Sequence, residues 1–402
     1  MKGKIAQRQG NYYHVALLVE TSHEFGREVL RGIRAYEKTL DNHWMFYLQP
    51  DGMRQDVPRM GLWPCTGVIA RLFSKTAAWK LLSSGIPLVL IDPDTIHLKR
   101  KEALAAVPYV TTDTGMIVKM AFDHLYDCGC RTFAFVHSVA DTGWSVSRGR
   151  EFKSLALQHG CVCHVYGNLP ARSMSWECDV RRLGKWLAKL PHGLGVFAAM
   201  DQRGRNVIEA CREAGRRVPD DVMVLGVDND PLLCEMCEPS MSSIALDACQ
   251  AGFEAAKALH VLMQGGPVAT DRRILVKPTH VSRRTSTASS FSHDPVVAEA
   301  RRYIYDRFHD KTLQILDIAR HCGVSRRLLE TRFSQTQGRT LLQALTEVRM
   351  ERARTLLCDT DDPVTDVAAA SGFADANYFT KSFRMRHGDA PLKFRERMHI
   401  VN

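Results

Sequence analysis

The feature of this 402-residue sequence that most restricts its fold is a pattern written twice near its end. In LQILDIARHCGVSRRLLETRFSQTQG (313–338), Ile315, Ile318 and Ala319 form one apolar helical face, and Gly323 sits at a break where a left-handed turn excludes a Cβ. Val324 plugs the gap. Ser325 is placed to cap a second helix, whose buried side is expected to carry Leu328, Leu329 and Phe333. Arg326, Arg327, Glu330, Thr331 and Arg332 then face outward, a set of donors and acceptors suited to a DNA major groove. About fifty residues on, PVTDVAAASGFADANYFTKSFRMRHG (363–388) repeats the unit: Val364, Val367 and Ala368 are apolar, Gly372 turns, Phe373 plugs and Asp375 caps. Its second helix exposes Ala376, Asn377, Thr380, Lys381 and Arg384. Residues 341–357 between the units read as one helix of ~26 Å, which with its flanking turns would hold the two reading helices about one DNA turn (~34 Å) apart. Basic residues, among them Arg332 and Arg395, lie where phosphates would run. The plainer reading, two amphipathic hairpins with solvated arginines, explains one unit but not two at this spacing.

Residues 13–281 follow a different grammar. Short β-rich runs, HVALLV (14–19), WMFYLQ (44–49), GVIA (67–70), LVLID (88–92), YVTTD (109–113), TFAFVH (132–137), GVFAAM (195–200) and VMVLGVD (222–228), alternate with helix-length amphipathic stretches. Repeated β-α-β of this kind implies parallel sheets covered by helices, with ligands at the C-terminal ends of the strands. Polar residues gather at those ends: Glu20 and Ser22, Asp92, Asp113, Asp201 and Asp228. Each has capping or turn formation as an alternative role, Asp113 before Thr114 especially. Planar polar groups converging in a dry cleft, with an aromatic against a ring face, are what a sugar requires. TSTASSFSHD (285–294) then reads as a linker, and everything from Pro295 as helix and turn.

Composition excludes several classes. No apolar run reaches the ~18 to 20 residues that span a bilayer, and the apolar stretch Val15 to Val19 is shorter than the ~7 to 15 residues of a signal-peptide core, so a cytoplasmic protein is expected. Of the twelve cysteines only Cys234 and Cys237 form a CxxC, with no second pair to complete a zinc site; no metal or cofactor is expected. The net charge is +10, yet 291–402 carries 18 Lys+Arg against 15 Asp+Glu, so DNA binding rests on placement rather than excess. No G-x-S-x-G elbow, P-loop or G-x-G-x-x-G follows a strand, and the chain is expected not to be an enzyme.

On the two repeated units and the closing GDAPLKFR, the segment 295–397 resembles the AraC/XylS family, with Phe394 where that family usually has Tyr. The resemblance implies base contacts by Arg327, Glu330 and Thr331 from the first unit and by Ala376, Asn377 and Lys381 from the second. VALLVETSHEFGREVLRGIRAY, WSVSRGREFKSL, AAMDQRGRNVIEACREAG and VPDDVMVLGVDND make 14–284 similar to the ligand core of LacI/GalR regulators and periplasmic sugar-binding proteins. That implies a 13–284 sensor of α/β, type I architecture behind a 1–12 tail. Its two lobes, about 13–129 with 243–273 and 130–242 with 274–284, would be joined by three crossovers. It further implies that Arg148 and Asp228 grip ligand hydroxyls, that Trp176 packs the ligand face, and that Asp201 and Asp113 line the cleft. Unlike LacI/GalR proteins, the sequence carries its helix-turn-helix at the far end. The fusion resembles regulators of xylose-type pentose operons, in agreement with Trp144 and Arg148, though Glu20, Ser22 and Asp92 are less easily matched. The implied protein is a homodimeric, sugar-responsive regulator on a double-stranded operator, an activator working with RNA polymerase; a repressor, or a non-sugar effector, is the alternative.

Overall fold

The computed structural model describes residues 12–41, 43–49, 65–71, 80–93, 107–139, 143–167, 175–267, 273–288, 294–337 and 339–401. Residues 1–11 of the expected tail and 289–293 of the expected linker lie outside these.

Two six-stranded sheets organise the first part of the chain. The N-lobe sheet is built from β1 (Tyr13–Leu18), β2 (Trp44–Leu48), β3 (Gly67–Arg71), β4 (Leu88–Ile91), β5 (Tyr109–Thr112) and β11 (Arg273–Val276), in the order β11-β5-β4-β3-β1-β2. Its pairings are all parallel. The C-lobe sheet contains β6 (Thr132–Val136), β7 (Val162–Tyr166), β8 (Leu194–Ala198), β9 (Val222–Val227), β10 (Ser242–Leu246) and β12 (Pro278–Ser282), in the order β12-β10-β9-β8-β6-β7, with β12 antiparallel to β10. The central strands β3, β4, β8 and β9 are buried at every position. Continuous apolar runs such as VMVLGV fit that role because helices cover both faces of the sheet.

The helices α1 (Glu24–Glu37), α2 (Thr114–Asp127), α3 (Gly143–Gln158), α4 (Trp176–Leu187), α5 (Asp201–Glu213), α6 (Pro231–Glu235) and α7 (Ala248–Met263) cover the sheets. The chain crosses between lobes three times, but not all where the resemblance implied. Helix α2, expected in the N-lobe, packs Ile117, Val118, Ala121 and Phe122 into the C-lobe core. Strand β10 belongs to the C-lobe sheet and β11 to the N-lobe sheet. The crossings therefore fall at Asp113, Asp247 and Lys277. They are tied together: the Asp113 amide donates to the Val276 carbonyl (2.8 Å) and the Asp247 amide to the Lys277 carbonyl (3.0 Å).

The C-lobe also runs past residue 284. Ser286 and Thr287 are buried; Ser286 Oγ donates to the Val224 carbonyl (2.5 Å) and accepts from the Ser242 amide (2.8 Å). Hydroxyls that look like linker composition here satisfy buried backbone groups.

The last domain is all helical: α8 (Pro295–Arg307), α9 (Ile315–His321), α10 (Arg326–Gln337), α11 (Leu341–Asp359), α12 (Val364–Ala370), α13 (Ala376–His387) and α14 (Pro391–Val401). It has two cores rather than one. Leu341, Ala344 and Leu345 from the start of α11 join Ile318, Leu329 and Phe333, while Met350, Ala353 and Leu357 from its end join Val367, Phe379, Phe383 and Phe394. One helix is thus half of each unit.

Candidate functional site

The interlobe cleft is built from strand ends. Three residues there hold left-handed backbone: Asp92 (φ 47°), Asp228 (φ 106°) and Asn229 (φ 53°). Such conformations cost energy and persist where surrounding structure imposes them. At Asp228 the imposing group is Asp201. Its carboxylate accepts from the Ser243 hydroxyl (2.5 Å) and the Asp230 amide (2.7 Å), and Ser243 Oγ in turn accepts from the Asn229 amide (3.0 Å). A Cβ on Gly226 would stand 2.2 Å from Asp201 Oδ1, so only glycine admits this arrangement. Asp201 is 1% exposed, and burial pushes its carboxyl up to about 7. Its oxygens are taken by the protein itself; it shapes the turn that carries Asp228. The Cys234 thiol of the CxxC also points at Asp201 (3.5 Å), and the Cys237 thiol donates to the Leu233 carbonyl (3.1 Å).

Arg148 is 3% exposed on α3, with one Nη donating to the Ala199 carbonyl (2.6 Å) and its guanidinium 5.0 Å from the Trp144 ring. Its Nε and the Trp144 Nε1 are buried without hydrogen-bond partners among the described residues. Burial weakens the Arg148 guanidinium's hold on its proton, against the pull of Asp228 and Asp92. Burial and the nearby Asp201 push the Asp228 carboxyl well above the usual range, against Arg148 and Arg71. Groups from both lobes therefore share one electrostatic neighbourhood. From the N-lobe, Arg71 bonds Glu20 and also Asp92 (3.3 Å), with its guanidinium 4.6 Å over the Phe25 ring. Glu20 Oε2 has no hydrogen-bond partner among the described residues.

The remaining expected cleft residues are placed differently. Asp113 accepts from the Met116 amide (3.1 Å) as the N-cap of α2, at a crossing. Trp176 is 48% exposed at the start of α4, its indole N–H donating to Asn206 Oδ1 (3.1 Å). Ser22 is exposed in the bend before α1. Two residues not singled out by the sequence matter here. Arg71 ends its strand as Asp92 and Asp228 follow theirs, and that position is its signal. Arg27 of α1 reaches across the lobes to Asp230 (2.7 Å), a pairing no local pattern announces.

In the helical domain, Gly323 (φ 66°) and Gly372 (φ 84°) make the two turns. Ser325 Oγ accepts from the Leu328 amide (3.3 Å), and Asp375 accepts from the Asn377 and Tyr378 amides (2.7 and 3.3 Å), so each reading helix is capped as expected. Arg326, Arg327, Thr331, Asn377 and Lys381 are exposed; Glu330, Arg332 and Ala376 are half-buried. Arg326 pairs along its helix with Glu330 (2.9 Å), and Arg332 lies 3.7 Å from Asp294. Two expectations change. Leu328 is 41% exposed rather than buried, because Leu329 and Phe333 already fill the core-facing stripe. Arg395 is buried and donates to the Asp362 carbonyl (2.6 Å), closing the turn before α12 instead of facing a phosphate. Asn377, Thr380, Lys381, Arg384 and Met385 line an open groove along α13.

A two-lobed sensor with a charged cleft, followed by two capped helix-turn-helix units on a shared helix, defines a ligand-responsive, DNA-binding transcription regulator. Family comparison agrees domain by domain: residues 14–115 match the XylR N-terminal domain, 122–287 the periplasmic binding protein-like domain and 318–397 a helix-turn-helix domain. The chain is a XylR-like regulator. It is 29% identical over 388 residues to the xylose operon regulatory protein of Escherichia coli (strain K12), covering 96% of this chain and 97% of that protein. The Haemophilus influenzae protein of the same description is also 29% identical, over 96% and 98%. A solved structure described as the xylose-binding transcription activator xylR superposes with a TM-score of 0.66 at 27% identity, covering 96% of this chain and 98% of that one. The complex of the regulator CelR with cellobiose shares the sensor fold (TM-score 0.54, 22% identity, 71% of this chain and 86% of that one). Among the described residues no helix is long and apolar enough to cross a membrane.

Proposed function

We propose that this regulator responds to a xylose-like aldopentose in the interlobe cleft and activates a sugar catabolic operon from the cytoplasm, as a homodimer on its operator and in contact with RNA polymerase. The observation that carries the effector assignment is the buried Arg148, whose Nε has no hydrogen-bond partner among the described residues and whose charge is felt by Asp228 and Asp92 of the two lobes. A guanidinium and a carboxylate held in fixed positions satisfy neighbouring sugar hydroxyls, and the Trp144 indole N–H offers another donor. Glu20, Arg71 and Asp92 form the opposite wall, and Trp176 closes the rim against the ring face. Asp201 and Asp113 act one step removed, Asp201 by fixing the Asp228 turn and Asp113 by anchoring a crossing. Sugar held by both lobes favours closure, and a few kcal/mol of preference for the closed state is enough to change occupancy of the operator. On DNA, Arg326, Arg327, Glu330 and Thr331 read one major groove and Ala376, Asn377 and Lys381 the next, with Arg332 at a phosphate.

The test is isothermal titration with xylose and other pentoses, together with operator binding, on the wild type, Arg148→Ala and Asp228→Ala. The expected result is loss of sugar binding and response in both variants, with sugar-free DNA binding retained. Unchanged pentose affinity in both would remove the cleft assignment.

A further inference from the structure

A second cavity, of about 340 Å³, lies between the C-lobe and the helical domain, away from the interlobe cleft. Its size is within the ~300 to 1,000 Å³ range of small-molecule sites. Five arginines line it: Arg283 after β12, Arg301 of α8, Arg339 before α11, Arg354 of α11 and Arg386 of α13. Against them stand two carboxylates, Glu347 and Glu351. Both are already committed. Glu347 is shared by Arg339 and Arg386 (2.7 Å to Arg386), and Glu351 takes Arg354 (2.6 Å).

Arg283 donates its Nε to His124 Nδ1 (3.3 Å) and forms no ion pair with a carboxylate among the described residues. Arg301 is buried, its Nε on the Ala288 carbonyl (3.0 Å), and Arg283 and Arg301 act on one another as like charges. Arg354 Nε is buried without a hydrogen-bond partner among the described residues. His280 in the wall is neutral, burial having lowered its pKa to about 3, so it adds no charge. Burial with the neighbouring Arg301, Arg283 and Arg386 weakens the hold of Arg339 on its proton. Clustering cations in a partly desolvated space is costly unless an anion neutralises them. Apolar groups share the lining: Met120, Ile304 and Val348, with the Tyr305 ring, whose hydroxyl hydrogen-bonds Arg301.

We propose that this cavity binds a phosphorylated small molecule, its phosphate held by Arg283, Arg301, Arg339 and Arg386 and its organic body against Ile304, Tyr305 and Val348. Guanidinium groups match phosphate oxygens in pairs, which is why the class is phosphate ester rather than a general anion. Because the walls come from both the sensor and the DNA-binding domain, an occupant fixes their relative position. The site is an input separate from the sugar cleft.

The experiment measures binding of ribose 5-phosphate, inorganic phosphate and neutral ribose to the full-length protein by calorimetry, with thermal stability in parallel. Ribose 5-phosphate is expected to bind and raise the melting midpoint. Arg283→Met and Arg386→Met should each weaken it at least about tenfold, the worth of a charge-assisted hydrogen bond. Arg148→Ala, in the cleft, should leave it unchanged. Arg386 is exposed, so its variant keeps the test valid if Arg283→Met unfolds. Phosphate binding that depends equally on Arg283 would support the same site with the free ion as its source. Absence of binding by both phosphates, or binding lost in Arg148→Ala and kept in Arg386→Met, would overturn the proposal.

Discussion

Replacing Asp201 by asparagine should make the sensor less sensitive to pH, and the size of the effect follows from its surroundings. The carboxyl titrates at about 7 in the fold and has an ordinary value of 3.8. Between those values the folded protein keeps a proton that the unfolded chain releases, so this group's contribution is complete below about pH 4 and is lost as pH rises through about 7. At about 1.4 kcal/mol per pH unit the total is about 4 kcal/mol. The substituted amide cannot ionise, yet its oxygen can still accept from the Asp230 amide. The variant should therefore gain on the wild type steadily from about pH 4 to about pH 8. Urea unfolding across that range, followed through tryptophan fluorescence, reads it directly: Trp176 is bonded to Asn206 on the helix that begins at Asp201. Parallel stability curves for the two proteins would refute this, showing that Asp201 is ionised at neutral pH and that its three donors outweigh its burial.

Other consequences are simpler to check. Gly372→Ala should destabilise the helical domain by more than about 1 kcal/mol and weaken operator binding, since its Cβ would meet the Phe308 carbonyl oxygen at 2.1 Å in a left-handed backbone; an unchanged melting midpoint would contradict this. Arg27→Met, which removes the interlobe contact to Asp230, should loosen closure and weaken sugar affinity roughly two- to fivefold, small because the arginine is partly exposed; calorimetry and the radius of gyration in sugar would show it. Arg395→Ala should lower the stability of the second unit while leaving the salt dependence of DNA binding unaltered, whereas Arg327→Ala should relax base preference. A reduced salt slope for Arg395→Ala would return it to the phosphate-facing residues.

What the sequence made legible is what short segments decide. Each helix-turn-helix unit lies within some twenty-six residues, and its capping residues act on amides two or three positions away, so the caps and turns read from the pattern are those of the structure. Strand cores such as VMVLGV are equally local. Lobe membership is not: α2 follows β5 directly, yet joins the other sheet, because which sheet offers Phe122 a cavity depends on strands far along the chain. The same holds for Ser286 and Thr287, polar in composition but buried against a carbonyl of β9 and the Ser242 hydroxyl of β10. Asp201 and Asp228 end neighbouring strands and look alike in sequence. Only the position of Ser243, on a third strand, separates the one that shapes the turn from the one that the turn carries.

Helix α11 is a shaft with a gear at each end, and its angular pitch sets how those gears mesh with DNA. One residue added near its middle, between Leu345 and Met350, would advance the second unit about 1.5 Å and turn it about 100° about the shaft. That rotation would carry α13 away from the face of the duplex that α10 addresses, and would pull Gly372 off the Phe308 carbonyl where the two units touch. Adding about seven residues, nearly two whole turns, would restore the angle but displace the second unit by about 10 Å, roughly three base pairs. The operator spacing such a protein accepts is therefore written in the length of one helix.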